Sequence, residues 1–571
     1  LSCGGTGCTP LDLDSFQVLQ AEFSRFTIDG HFRYSVNDNL EWFFESRFAN
    51  IDSAQQGQPS FDFGGPIIVQ RDNAFVSPSF GAAMDAAGAT AVDLRRFNID
   101  VGLRQEINTR QTVRGVTGLR GEFGDGYNFE VFANYGRSTI ERVNENNRID
   151  ERWAAAYDAV RIDAADAAAL QASGLGPQAA AGQIFCRSTV QEALGDDSGL
   201  PDFAYVGCVP ANILGDGLIS QEARDFVNST ALGQSEIEQT QFSASVSQPE
   251  LFQGWAGPIA GVAGIEYRRE KSFVRGDSLS ALGNTFFNNL ADTRGELDAT
   301  EVFTEFGVPL LSDVKGAQDL TFEAAARYSS YDTIGDTFTW ETRLNWQPID
   351  DVRVRLNLGE ALRAPTIGDL YSPAGENFNI VDDPCDMDNL DLGTNGRNVR
   401  IANCQALGIA DPANFDSLDE ESITLLQGGN PNLNEETADT FTVGIVYTPS
   451  FVDNLSISLD WYDIQIENAI ALTGSQAILD KCVDDPGGIN NQFCPLVTRD
   501  GVGNIVLLRR FPLNLNTFET SGLDFEVDYA FEIGAYGTIR NRLVGSYLDE
   551  RTQIGPGAAG GDAVPVQQLR L

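Results

Sequence analysis

Leu523-Asp524-Phe525-Glu526-Val527-Asp528-Tyr529-Ala530-Phe531-Glu532-Ile533 alternates between bulky apolar residues and, Ala530 aside, carboxylates. Successive side chains of an extended chain point to opposite faces, so this is a strand with one apolar and one charged face. The same pattern recurs elsewhere. Tyr127, Phe129, Val131, Ala133 and Tyr135 oppose Asn128, Glu130 and Asn134, with Phe132 the exception. Phe26, Ile28, Phe32, Tyr34 and Val36 oppose Arg25, Thr27, Asp29, His31, Arg33 and Ser35. Val352, Val354, Leu356 and Leu358 oppose Arg353, Arg355 and Asn357. Helical periodicity is weak by comparison.

Working outward from these segments places about fourteen strands. They lie near 23–36, 40–52, 111–123, 127–142, 236–249, 258–274, 296–310, 318–331, 337–347, 351–363, 434–448, 454–467, 513–532 and 537–549. Short connections fall at Val36–Asn39, Gly124–Gly126, Gln347–Asp351, Thr448–Asn454 and Ile533–Gly537. Long ones fall near 53–110, 143–235, 275–295, 364–434 and 468–512. Short and long alternate along the chain, with one compact exception at Asp332–Asp336. Short turns on one rim and long loops on the other describe a transmembrane antiparallel β-barrel, an all-β fold. A secreted β-sandwich also alternates, but its strands run to about 5–6 residues and its loops need not sort by side. Transmembrane strands need about 9–11 residues, which these segments supply. Trp42, Trp340, Trp346 and Trp461 stand near strand ends, as interface girdles require. After Trp461 the apolar phase flips to Tyr462, Ile464 and Ile466, which reads as a bulge or as the strand rising into its loop.

Eight cysteines form four close pairs, Cys3/Cys8, Cys186/Cys208, Cys385/Cys404 and Cys482/Cys494. An even count in local pairs reads as disulfides formed in an oxidising compartment. All four pairs fall on the long-loop rim, so each bond is expected within one loop, with Cys3–Cys8 ahead of the first strand. A metal site wants CxxC-type spacing and usually histidine, and the chain has only His31, a polar-face residue. No metal or cofactor is therefore assigned. Segments 151–181 and Ser220–Asn228 are expected to hold short helices, making the loop around Cys186–Cys208 a folded cap.

The 38 basic and 82 acidic residues leave a net charge of −44, without clustered Lys or Arg, which excludes nucleic acid as a partner. No run of about 18 apolar residues marks a membrane helix. The glycines of Ile554-Gly555-Pro556-Gly557 and Gly560-Gly561 are loop punctuation, with no helix following to cradle a phosphate. With one histidine and no readable nucleophile arrangement, the chain is not read as an enzyme.

Several segments resemble TonB-dependent outer-membrane receptors. The most specific are Ala361-Leu362-Arg363-Ala364-Pro365-Thr366-Ile367-Gly368-Asp369-Leu370-Tyr371-Ser372-Pro373 and Asn430-Pro431-Asn432-Leu433-Asn434-Glu435-Glu436-Thr437-Ala438-Asp439, which bracket one loop. Gly264-Ile265-Glu266-Tyr267-Arg268-Arg269-Glu270, Gly522-Leu523-Asp524-Phe525 and Cys208-Val209-Pro210-Ala211-Asn212-Ile213 also fit. The resemblance covers about 23–550. It implies a barrel of about 22 strands around a plug, which a lumen of that size requires. It also implies a Gram-negative outer membrane, import of a bulky scarce nutrient such as an iron-siderophore, and energy from a TonB-ExbB-ExbD complex acting through the plug. Residues 1–571 then read as an incomplete barrel domain, without plug or last strands. The rival readings are a passive porin-like channel and a secreted β-rich adhesion protein.

The candidates for substrate contact are Arg363, Asp382, Asp383, Asp386 and Asp388. Pro365 ends a strand beside Arg363, and the default partner of Arg363 is a luminal carboxylate. The run Asp382-Asp383-Pro384-Cys385-Asp386-Met387-Asp388-Asn389-Leu390-Asp391 is rich enough in oxygen ligands for calcium, but lacks EF-hand spacing. It reads as a solvated, disulfide-anchored loop. Divalent ions bridging it to lipopolysaccharide phosphates are a third reading.

Overall fold

The computed structural model describes residue 16 and residues 18–287, 291–417 and 423–554, so Cys3 and Cys8 lie outside the described residues. Fourteen strands form one sheet in simple chain order. They are β1 (Glu22–Asn37), β2 (Leu40–Pro59), β3 (Leu103–Phe123), β4 (Tyr127–Arg148), β5 (Asn228–Gln253), β6 (Pro258–Arg275) and β7 (Thr293–Val314). Then come β8 (Ala317–Tyr331), β9 (Gly335–Ile349), β10 (Val352–Arg363), β11 (Glu436–Tyr447), β12 (Leu455–Leu472), β13 (Pro512–Glu532) and β14 (Thr538–Ile554). Every neighbouring pair is antiparallel. Among the described residues β1 and β14 are the two edges and do not bond to each other.

All the expected strands are present, and the turns sort by side as read. The largest differences lie at the long-loop rim, where β3 begins at Leu103, β5 at Asn228, and β12 runs on to Leu472. In Leu103-Arg104-Gln105-Glu106-Ile107-Asn108-Thr109-Arg110 one face is wholly polar and the other mixes Leu103 and Ile107 with Gln105 and Thr109, so period-two contrast fades while backbone pairing continues. The phase change after Trp461 is not a bulge. Register is regular from Leu455 to Ile466 against β13, and the irregularities come later, between Ile466 and Ile470. Tyr462 turns to the polar face because Gly522, its partner there, leaves room for the ring.

The two faces of the sheet differ sharply. One carries apolar and aromatic side chains, including Phe26 against Phe48 and Phe32 against Trp42, with ring centroids 6.5 and 5.3 Å apart. Phe338, Val302 and Ile265 lie exposed on this face, as a lipid-facing surface demands. The other face holds cross-strand ion pairs: Asp29–Arg47, Glu41–Arg120, Glu301–Arg327 and Asp528–Arg540. His31 is here too, 3.8 Å from Glu45. With the apolar face turned outward, the buried apolar clusters of this chain sit mainly in its loops.

One polar-face pair spans two strand spacings. Arg355 on β10 reaches Asp460 on β12 at 2.7 Å, passing over Gly444 of β11 in the same row. A Cβ at Gly444 would strike the Asp460 carboxylate and crowd Arg355 Nε. Gly444→Ala is expected to part the pair and to cost about 1–3 kcal/mol by overpacking. A lowered melting point in detergent micelles, with Ala at Gly115 as the comparison, checks this. Gly115 has only one atom near its would-be Cβ, at 4.0 Å.

Candidate functional site

The site lies at the long-loop rim, on the polar face. Arg363 ends β10 and stands opposite Glu436, the first residue of β11. Its guanidinium is bonded to Glu436 and reaches Asp369 at 3.3 Å. Glu436 also accepts from Ile470 N at 2.6 Å, so one arginine fastens both ends of the 364–435 loop and the top of β12. Past Pro365 the chain turns into a short helix, Ile367–Tyr371, with a Thr366/Asp369 capping box. Leu370 of this helix and Leu433 of the Asn-Pro-Asn-Leu segment pack on Leu297 of β7. The two motifs that bracket the loop therefore meet as a small apolar roof over the polar face. Asn430 and Asn434 pin the same segment to β13, through Pro512 O at 2.9 Å and Asn514 Oδ1 at 2.8 Å.

Beneath this roof is a cavity of about 780 Å³ bounded by β6–β10. Arg268, Arg327 and Arg363 line it, and each is already paired with a carboxylate, Glu270, Glu301 and Glu436 in turn. Glu305 and Glu360 line it as well. Arg363→Lys keeps the charge but loses the planar fork that serves two carboxylates at once. Faster protease cleavage within 364–435 is the expected outcome, and unchanged cleavage would show that the fork is dispensable.

The loops 364–435 and 473–511 fold together into one cap. A four-stranded sheet takes Gly375–Asn379 and Ile423–Gln427 from the first loop, Val497–Arg499 and Ile505–Arg510 from the second. The central pairing, Ile423–Gln427 with Ile505–Arg510, is parallel and crosses between loops. Helices Arg397–Ala406 and Ser475–Val483 cover a shared core of Leu425, Leu508, Ile478 and Leu479. Disulfides Cys385–Cys404 and Cys482–Cys494 both sit in that core, each inside a single loop as expected. Arg400 is 2% exposed and grips Asp484 with two bonds, at 2.7 and 2.8 Å, across the loop boundary.

This cap decides the places of the sequence candidates. Asp383 is buried and forked to Arg499, at 2.5 and 2.7 Å. Asp386 is buried too and accepts from Asp388 N and Ser417 N. Both carboxylates therefore order the loop. Asp382 and Asp388 lie exposed, away from Arg363 and its cavity lining. The candidates do not converge on one point. Among the described residues no group of carboxylates, cysteines and histidine is arranged to hold a metal ion. Sequence reasoning missed Arg400 and Arg499, whose buried carboxylate partners, Asp484 and Asp383, are more than eighty residues distant and carry no local signal.

Burial pushes the Asp480 carboxyl up, while Arg400 beside it pulls the other way. An acid raised in this sense binds its proton more readily folded than unfolded. It favours the fold below its ordinary value, and that help is lost as pH rises through the shifted one. Asp480→Asn is thus expected to flatten the pH dependence of cap stability in the window above the ordinary carboxyl value. Urea midpoints at a series of pH values check it, and a steeper fall in the variant would reverse the sign.

Loops 60–102, 149–227 and 276–292 build a second cap, with Cys186–Cys208 bonded inside the middle one. Helices Asp150–Tyr157, Ala164–Ser173 and Gln221–Val227 occupy the segments where helices were expected. Arg148, the last residue of β4, is buried and joins Asp62 at 2.9 Å, tying the first loop to the point where the second begins. Arg187 bridges Asp72 and Asp158. Its hydrogen bond holds Asp72 below the usual carboxylate range, whereas burial pushes Asp158 up. The rim thus carries two folded caps over a charged face.

A family model for TonB dependent receptor-like β-barrels matches residues 194–570. Among solved structures the chain is similar to the siderophore receptor PirA from Acinetobacter baumannii, at 12% identity and a TM-score of 0.45, covering 93% of this chain and 54% of that one. It is also similar to a variant of the ferric enterobactin receptor PfeA from Pseudomonas aeruginosa, at 13% identity and a TM-score of 0.44, covering 93% and 52%. The RagAB peptide transporter matches at 9% identity and a TM-score of 0.48, covering 95% and 48%. The chain spans about half the length of these proteins.

Proposed function

The chain belongs to the TonB dependent receptor-like β-barrel family, and we propose that it forms the loop-capped barrel wall of an outer-membrane importer for a bulky scarce nutrient. The observation that carries this reading is the pairing of short turns on one rim with two disulfide-clasped caps on the other. A simple diffusion pore has no need of a folded roof over its mouth. The ligand is caught at the caps and handed to the polar face. A plug pulled by a TonB-ExbB-ExbD complex supplies the energy, and lipid and lipopolysaccharide surround the outer face. A ferric siderophore is the nutrient to test first. Growth of a deletion strain under iron limitation is expected to fall, and to recover with the wild-type gene only when TonB is present. Intact growth under iron limitation, with a defect on peptides or glycans instead, would replace the nutrient but keep the importer. Solute permeation through proteoliposomes without TonB would favour a passive channel. Extraction without detergent would favour a secreted adhesion protein.

A further inference from the structure

With 82 carboxylates against 38 basic residues, an arginine of this chain has acids to spare, and pairing with one is its default. Arg104, at the loop end of β3, is an exception. Its Nε donates to Gln58 O at 2.8 Å, and its guanidinium lies over the rings of Phe286 and Phe287, 5.2 and 5.4 Å from their centroids. Among the described residues it has no ion pair, and neither terminal nitrogen has a hydrogen-bond partner. The rings and the carbonyl fix the guanidinium in place and leave its two terminal nitrogens available to an anion.

Arg104 opens into a cavity of about 550 Å³ between the tops of β3–β6, the 276–287 segment and Pro373–Glu376 of the other cap. Arg142 lines the same cavity and is loosely held, 3.4 Å from Asn108 Oδ1 and 3.7 Å from Glu106, a carboxylate that lines the cavity as well. Of the other charged groups lining it, Arg275 stacks on Phe273, and Asp277 caps a helical turn by accepting from Leu279 N and Ser280 N. Glu376 is exposed. The remaining wall mixes the polar Asn144, Gln234, Ser235 and Ser280 with an apolar patch from Ile140, Val274 and Phe287. This differs from the larger cavity under the roof, where each lining arginine is already paired. The volume lies within the range of about 300–1,000 Å³ that suits small organic ligands.

We propose that this cavity binds an amphipathic organic anion. Its carboxylate or phosphate sits on the Arg104 fork with Arg142 as the second cation, and its apolar body lies against Ile140, Val274 and Phe287. The proposal deepens the importer reading and rests on the loop rim being the capture side.

The test is titration of the full-length protein in detergent micelles with 2-naphthoate, 2-naphthyl phosphate, 2-naphthylmethanol and inorganic phosphate, read by calorimetry. One or both naphthyl anions are expected to bind roughly ten- to a hundredfold more tightly than the neutral alcohol, the range for charge-assisted hydrogen bonds. Which anion wins separates carboxylate from phosphate. Arg104→Gln is expected to erase the preference, and Arg104→Lys to keep part of it. Equal binding of the alcohol, an unchanged preference in Arg104→Gln, no binding of either naphthyl anion, or inorganic phosphate binding as tightly as the naphthyl anions would each overturn the proposal. Native disulfides and heat-modifiable migration confirm that the variants fold. Should Arg104→Gln fail to fold, the wild-type anion-to-alcohol ratio and Arg104→Lys still decide. No step requires TonB, so intact anion binding by a protein that supports no uptake even with TonB present would retire the transport reading alone.

Discussion

Arg400→Met is expected to destabilise the cap formed by loops 364–435 and 473–511 by about 3–5 kcal/mol, the cost of leaving a buried charge without its partner. Arg400 bonds both oxygens of Asp484, Asp480 Oδ1 at 3.1 Å and Asn389 O at 2.7 Å. Asp484 is 4% exposed. Without the guanidinium its charge keeps only Thr394, through the backbone N at 3.2 Å and Oγ1 at 3.4 Å. Limited proteolysis should then cut both loops quickly while the sheet keeps its heat-modifiable migration. The double variant Arg400→Met/Asp484→Leu is expected to recover much of the loss, because no buried charge remains. If the double variant were as weak as the single one, the bonds to Asn389 and Asp480, rather than charge compensation, would be the essential part. If Arg400→Met were cut no faster than wild type, the cap would not depend on this pair at all.

The barrel wall was legible because it lives on a local rule. A strand between lipid and a wet interior must alternate, and Leu523–Ile533 shows that with no knowledge of its neighbours. Legibility ended where polar residues enter both faces, so the loop end of β3 was missed although its pairing with β4 is unbroken from Gln105 to Phe123. The caps follow another logic. Ile423–Gln427 is a short apolar run whose parallel partner, Ile505–Arg510, lies in a different loop. No local pattern can state such a pairing. The three described cysteine pairs were readable because each closes within its own loop, and Arg400 and Arg499 were not because each closes between loops. The Asp382–Asp391 run shows the same limit. Its composition suggested ligands, whereas its two buried members, Asp383 and Asp386, are spent on Arg499 and on backbone donors.

Removing Cys385–Cys404 by paired alanine substitution is expected to raise protease cutting in 473–511 as well as in its own loop. The bond closes a separation of 19 residues and Cys482–Cys494 one of 12, so chain entropy assigns each about 3 kcal/mol. The size is ordinary; the place where the loss appears carries the argument. All four sulfurs lie in one apolar cluster with Leu425 and Leu508, residues of different loops joined by the parallel pairing. Asn403, next to Cys404, donates to Val483 O and Asp485 O at 2.8 Å, just beyond Cys482. A disturbance at either disulfide therefore falls on a core that both loops need, and the two should open together. The paired removal of Cys186 and Cys208 is the control, since that bond serves the other cap and a separate cluster. Its loss should speed cutting in 149–227 and leave 473–511 as it was. Cutting confined to 364–435 after loss of Cys385–Cys404 would mean that the loops fold independently. Cutting shared between them would mean that the roof over the Arg363 cavity opens as a unit, and that a ligand entering there must displace both loops at once.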